Sequence, residues 1–97
     1  MILARVVGTV VASQKSDKLD SQTLLLVEKI DAVTMKGKND FIVSIDAVGA
    51  GVDEIVFCVA GSSARATNVT EGKPTDSTIV AIVDYIEKDG KYTFQKN

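Results

Sequence analysis

Residues 78–86 read TIVAIVDYI, a run that is apolar on both faces of the β-strand that it predicts. Its β-branched residues favour a strand over a helix, and Asp84 is the only charged residue in it. A small barrel has a single interior, so the second apolar face needs cover from a helix, a loop or another subunit. The run therefore predicts a buried strand and favours an oligomer.

The other β-rich runs are short, and polar turns separate them. Asp89 and Gly90 predict the type I′ turn of a C-terminal hairpin. Gly8 lies inside the first run, where glycine is typical of a bulge, a barrel bend or the close approach of another backbone. Together the runs predict five or six strands. They lie at residues 2–13, 23–30, 41–48, 54–59 and 92–94, besides residues 78–86.

One segment departs from the β pattern. Residues 62–67, SSARAT, begin with a serine that can cap a helix, and their small side chains tolerate a helical turn or two. Strands and helices do not alternate along the chain, which favours an all-β fold, an antiparallel barrel or sandwich, over a parallel α/β sheet. We expect a single domain over residues 1–97, with one short helix and a C-terminal hairpin.

Charge and cysteine content restrict the partners and the compartment. Eleven Lys and Arg residues and thirteen Asp and Glu residues give a net charge of −2, with no long run of either sign, so we expect neither nucleic acid nor a membrane as partner. Cys58 is the only cysteine and lies in an apolar run, which predicts a buried, inert thiol and a reducing compartment. Arg5 and Gly8 interrupt the N-terminal apolar stretch, which fits neither a signal peptide nor a membrane span. We expect a soluble, intracellular protein.

The residue inventory removes most catalytic chemistry. The sequence has no histidine, so Ser-His-Asp and Cys-His arrangements and histidine-based zinc sites are impossible within it. Residues 61–65, GSSAR, resemble a nucleophile elbow, but Arg65 replaces the closing glycine. Residues 49–51, GAG, lack the third glycine of a dinucleotide fingerprint, and residues 72–75, GKPT, lack the upstream glycine of a phosphate loop. Turns explain these segments better.

Several carboxylates are candidates for an acid–base pair. Each lies at a strand end, in a turn or among apolar residues, which favours turn formation or ion pairing over catalysis. We expect Arg65 to pair with Asp76, within or across subunits, because they flank the same polar loop. We assign no catalytic residue, no metal ligand and no cofactor. The carboxylates considered are Asp46, Asp53, Glu54, Asp76 and Asp84.

Short motifs occur in a definite order along nearly the whole chain. They are ARVVGTVV at residues 4–11, LLVE at 25–28, DAVGAGVDE at 46–54, GSSAR at 61–65, PTD at 74–76 and IVD at 82–84. Each motif is common by itself, but their ordered combination resembles the family of vertex proteins of bacterial microcompartment shells, of the ethanolamine-utilisation and carboxysome type.

The resemblance implies an OB-like barrel of five main strands that assembles as a homopentamer. Such rings occupy the vertices of a polyhedral protein shell, beside hexamers of a different shell protein, and have no catalytic activity. A ring of five needs two different, complementary faces on each subunit. The second apolar face of residues 78–86 suits that demand.

The resemblance also implies site residues. Gly49, Ala50 and Gly51 are expected near the fivefold axis, around a narrow pore, unless the glycines serve only a turn with positive φ. A second set is expected at or near a subunit contact. It comprises Ser62, Ser63, Arg65 and Asp76.

The alternative is an OB-like module that binds nucleic acid or another ligand, since such barrels often carry a basic groove and exposed aromatic residues. The strands have few basic residues. We also expect the aromatic side chains of Phe41, Phe57, Tyr85 and Phe94 to face mostly inward. Both points favour the shell protein.

Overall fold

The computed structural model describes residues 1–12, 23–60 and 77–96. These residues form seven strands and no helix, and accordingly no helix among them could span a membrane. The helix predicted at residues 62–67 lies outside the described residues. The strands are β1 (Ile2–Val10), β2 (Leu24–Ile30), β3 (Gly37–Asp46), β4 (Ile55–Ala60), β5 (Ser77–Ile82), β6 (Tyr85–Lys88) and β7 (Lys91–Gln95).

Strands β1 to β5 close into a barrel in the order β1-β2-β3-β5-β4, and β6 and β7 form a separate two-stranded sheet. The all-β class and the five-stranded barrel are therefore confirmed. The expectation of a wholly antiparallel barrel is wrong in one place, because β3 and β5 pair in parallel through Ile45 with Thr78 and Asp46 with Ile79. Five strands cannot close with antiparallel pairs alone, because directions that alternate around an odd ring must repeat once.

The predicted strand at residues 78–86 divides into two. β5 ends at Ile82, and the Val83 N–H donates to the Ile55 carbonyl at 2.8 Å. Tyr85 then begins β6, which leaves the barrel wall for the hairpin. The turn of that hairpin is confirmed, because Asp89 and Gly90 both have positive φ, 53° and 78°.

The loop before β3 is shorter than predicted. The sequence predicted that this strand begins at residue 41, but β3 already begins at Gly37. Asp31 forms the turn instead, because its Oδ1 accepts the N–H groups of Val33 and Thr34 at 2.8 Å each. This bonding moves the turn to the end of β2.

Two apolar clusters stabilise the fold. The first fills the barrel, and its buried members are Ala4, Val6, Leu25, Val27, Val56, Cys58 and Ile79. The second lies between the barrel wall and the hairpin, where buried Ile55 and Val83 contact Ile86 and Phe94. The hairpin thus covers part of the outer wall of the barrel. It buries part of the second apolar face that the run at residues 78–86 predicted.

The aromatic side chains do not all face inward as predicted. Phe57 and Phe94 pack against the second cluster. Phe41 is 48% exposed and Tyr85 is 58% exposed, so the expectation is wrong for both. Alternation in an apolar run identifies two faces, but it does not say which face is the interior.

Candidate functional site

Asp46 organises the loop that contains residues 49–51. It ends β3, and its Oδ1 accepts the N–H groups of Val48 and Gly49 at 3.0 Å each. Its Oδ2 accepts the Ala50 N–H at 2.9 Å. One carboxylate thus accepts hydrogen bonds from three consecutive backbone N–H groups, which fixes the conformation of the chain just after β3.

Glu54 holds the other end of the loop. Its Oε1 accepts the Gly51 N–H at 2.6 Å, and its Oε2 binds the Lys96 Nζ at 2.7 Å. The Lys96 hydrogen bond, followed by that of Gly51, lowers the pKa of Glu54, and the same pairing raises the pKa of Lys96. The Val6 N–H donates to the Glu54 carbonyl at 2.9 Å, which attaches this end of the loop to β1.

The structure therefore places Gly49, Ala50 and Gly51 in the loop of residues 47–54, which joins β3 to β4 and which we call the braced loop. Gly49 has a φ of 78° and no atom within 4 Å of an added Cβ, so the turn alone explains this glycine. Gly51 has no positive φ, and an added Cβ would meet only the Glu54 Oε1, at 3.4 Å. Backbone conformation therefore does not explain Gly51. Ala50 is half-buried against the barrel core.

The other predicted site residues are not placed. Ser62, Ser63, Arg65 and Asp76 lie outside the described residues, and so does the expected ion pair between Arg65 and Asp76.

A buried polar cluster inside the barrel was not predicted. The hydroxyls of Ser44 and Ser77 are 2.6 Å apart, and the Ser44 hydroxyl also donates to the Cys58 Sγ at 3.8 Å. Burial of Cys58 is confirmed, and desolvation raises the pKa of its thiol. Serines scattered through apolar strands gave no sequence signal for this cluster, because only strand pairing brings them together.

Among residues 1–12, 23–60 and 77–96, no three acidic or cysteine side chains gather closely enough to hold a metal ion. The carboxylate oxygens of Asp46 and Glu54 accept hydrogen bonds from backbone N–H groups, and Glu54 also binds Lys96. The described part of the chain thus presents a scaffold with a braced loop.

Comparison with known proteins identifies the scaffold. The family model described as "Ethanolamine utilisation protein EutN/carboxysome" matches residues 1–84. This chain belongs to the EutN/CcmL family. The bacterial microcompartment shell vertex protein EutN of Salmonella typhimurium is 41% identical to it over 98 residues, which cover 99% of this chain and 96% of that protein.

Solved structures of EutN/CcmL proteins share the fold. CcmL of Gloeobacter violaceus superposes with a TM-score of 0.92 at 35% identity, covering 99% of this chain and 98% of that one. GrpN of Rhodospirillum rubrum, described as a pentameric microcompartment shell protein, superposes with a TM-score of 0.81 at 36% identity. That alignment covers 91% of this chain and 99% of GrpN.

The EutN/CcmL match at residues 1–84 takes in the whole barrel and the braced loop. The hairpin of β6 and β7 begins at Tyr85, just beyond the matched residues. The superposition on CcmL spans 99% of this chain, so the likeness in fold extends into the hairpin.

Proposed function

We propose that this protein is a structural shell protein that forms pentamers and caps the vertices of a polyhedral bacterial microcompartment. The observation that carries the proposal is the full-length similarity to a curated shell vertex protein, at 41% identity. The similarity to GrpN, described as pentameric, supports a ring of five. In this role the protein lies in the shell of a microcompartment in the cytoplasm.

The proposed partners of the ring are hexamers of a different shell protein. A lattice of hexagonal units is flat, and a fivefold unit supplies the curvature that closes it. Each subunit then contacts two copies of itself inside the ring, and the rim of the ring contacts the hexamers. The names of the relatives describe shell components, and we propose the same structural, non-enzymatic role for this chain.

The strand order supports an OB-like barrel. Five strands in the order β1-β2-β3-β5-β4 close through the parallel pair of β3 and β5, a Greek-key arrangement of the kind found in OB folds. The shared cluster under the hairpin supports a single domain over residues 1–97, because Ile86 and Phe94 pack against buried Ile55.

The braced loop is the candidate for the fivefold axis. Gly51 supports this placement, because its φ does not require glycine, whereas five side chains converging on an axis would collide. A narrow pore bounded by Gly49, Ala50 and Gly51 follows from the proposal. Ser62, Ser63, Arg65 and Asp76 stay candidates for the subunit contact.

Native mass spectrometry of the purified chain tests the proposed function. The expected result is a species of five subunits at micromolar concentration. A protein that is strictly monomeric under these conditions would contradict it. A titration with labelled single-stranded DNA at low salt tests the alternative binding module, for which affinity that falls as salt rises is expected.

A further inference from the structure

Gly51 lies just past the part of the braced loop that Asp46 holds, and it is bonded to a different residue. Asp46 accepts the N–H groups of residues 48–50. The Gly51 N–H instead donates to the Glu54 Oε1 at 2.6 Å, and the Gly51 carbonyl accepts the Glu54 N–H at 3.2 Å. Both backbone polar groups of Gly51 are therefore bonded to Glu54.

The barrel fixes the backbone of Glu54 but not its side chain. The Val6 N–H donates to the Glu54 carbonyl at 2.9 Å, and the Asp53 N–H donates to the Val6 carbonyl at 2.8 Å. Neither bond involves the carboxylate, and a glutamate side chain has several staggered conformations open to it. The carboxylate therefore needs a second contact if it is to stay directed at Gly51.

Lys96 supplies this contact. Its Nζ binds the Glu54 Oε2 at 2.7 Å, so one carboxylate oxygen faces Lys96 and the other faces Gly51. Among the described residues, Glu54 forms no other ion pair. The Glu54 side chain is 24% exposed, so water screens this pair less than it screens a fully exposed one.

The base of the hairpin holds Lys96 in position. Lys96 follows β7, and its N–H donates to the Asp84 carbonyl at 2.7 Å. On the other strand of the hairpin base, the Val83 N–H donates to the carbonyl of Ile55, the residue after Glu54. The hairpin thus contacts two consecutive residues, the last of the braced loop and the first of β4.

We propose that Lys96 is a positioning residue that latches the braced loop: it orients the Glu54 carboxylate and thereby holds Gly51 in place. The C-terminal end of the hairpin then sets the conformation of a loop between two barrel strands. Lys96 lies beyond the residues that the family model matches, whereas Gly51 and Glu54 lie within them. The latch acts inside one subunit, and only its consequence for a pore bounded by Gly51 rests on the proposed function.

The test measures how fast glycine amide protons exchange with water, by NMR of the full chain labelled with nitrogen-15 glycine. In Lys96→Met, the Gly51 amide should exchange about two- to fivefold faster than in the parent at the same pH, the factor that a partly exposed ion pair supplies. The Gly49 amide should be unchanged, because Asp46 holds it.

Lys88→Met is the matched control, because it removes the same charge from the same hairpin. Lys88 pairs with its neighbour Asp89, also at 2.7 Å, so this variant should leave exchange at Gly51 unchanged. Glu54→Gln should speed exchange at Gly51, and adding Lys96→Met to it should have no further effect, because the latch acts through the Glu54 carboxylate.

Three results would overturn the latch. They are equal exchange at Gly51 in the parent and Lys96→Met, additive effects of Lys96→Met and Glu54→Gln, and equally faster exchange at Gly49 and Gly51, which indicates general loosening of the loop. Each leaves the proposed function standing, because native mass spectrometry of the parent judges the ring. A monomeric parent would contradict the proposed function and leave the latch to be judged by the exchange at Gly51.

Discussion

The Asp46 carboxylate accepts N–H groups from Val48, Gly49 and Ala50, at 2.9 to 3.0 Å. The sequence indicated turn formation or ion pairing for this residue, and turn formation is confirmed. A sequence pattern does not predict this geometry, because many Asp residues begin a turn and few of them accept three backbone N–H groups. At the residue scale, this one side chain fixes the loop that holds the candidate axis residues.

Removing the Asp46 carboxylate should destabilise the protein. Asp46→Ala leaves three backbone donors of the loop without their acceptor, and hydrogen bonds to a charged group are each worth about 1.5–3 kcal/mol, with water replacing some of them at this exposed loop. We expect the free energy of unfolding to fall by about 1–3 kcal/mol, measured by urea denaturation at fixed protein concentration.

Asp40→Ala is the control for that measurement. Asp40 forms an exposed ion pair with Lys29, at 3.1 Å, and such pairs contribute about 0–1 kcal/mol. Equal effects of Asp40→Ala and Asp46→Ala would show that the loop does not depend on its carboxylate.

At the scale of strands and turns, the sequence predicted the existence of the strands better than their boundaries. All the predicted strands occur, but the run at residues 78–86 divides at Val83. The Val83 N–H donates to the carbonyl of Ile55 on another strand. Such a division depends on tertiary pairing, which periodicity does not report. The sequence left a bulge, a barrel bend or a close backbone approach open at Gly8, and the register shift between Val6 and Gly8 fits the bulge.

The exposure of Phe41 has a similar cause. The run at residues 41–48 is apolar on both faces, and the register of β3 on β2 places Ile42 against the core and Phe41 outside. A shift of one residue would reverse that assignment.

The link between the braced loop and the end of β7 should depend on pH. The pKa of Glu54 is lowered from its ordinary 4.5, so its stabilising effect is present above pH 4.5 and is lost as pH falls through the lower folded value. The pKa of Lys96 is raised from 10.5, so its effect is present below pH 10.5 and is lost at higher pH. Between these limits the pair contributes fully.

Glu54→Gln should therefore be less stable than the parent at pH 7, and the difference should shrink as pH falls below 4.5. Thermal unfolding at pH 7 and at pH 3 measures it, and added salt at pH 7 should also shrink it. Asp89→Asn is the matched control, because it removes an exposed pair with Lys88, also at 2.7 Å, that joins no two elements. A difference that is the same at both pH values would contradict the role of the Glu54 carboxylate.

At the scale of the whole molecule, a substitution in the braced loop tests whether this loop lies at the fivefold axis of the proposed ring. Gly51 is the better probe of the axis than Gly49. Gly49 has a φ of 78°, so any side chain there strains the loop, whereas Gly51 has no positive φ.

Gly51→Trp should leave the subunit folded and disturb the ring. An added Cβ meets only the Glu54 Oε1, at 3.4 Å, and the flexible side chain of Glu54 can move to accommodate it. Five indole rings near one axis would overlap, so native mass spectrometry should show loss of the pentamer. Val33→Trp, in an exposed turn, is the control and should keep it. An intact pentamer of the folded Gly51→Trp variant would place residue 51 away from the axis.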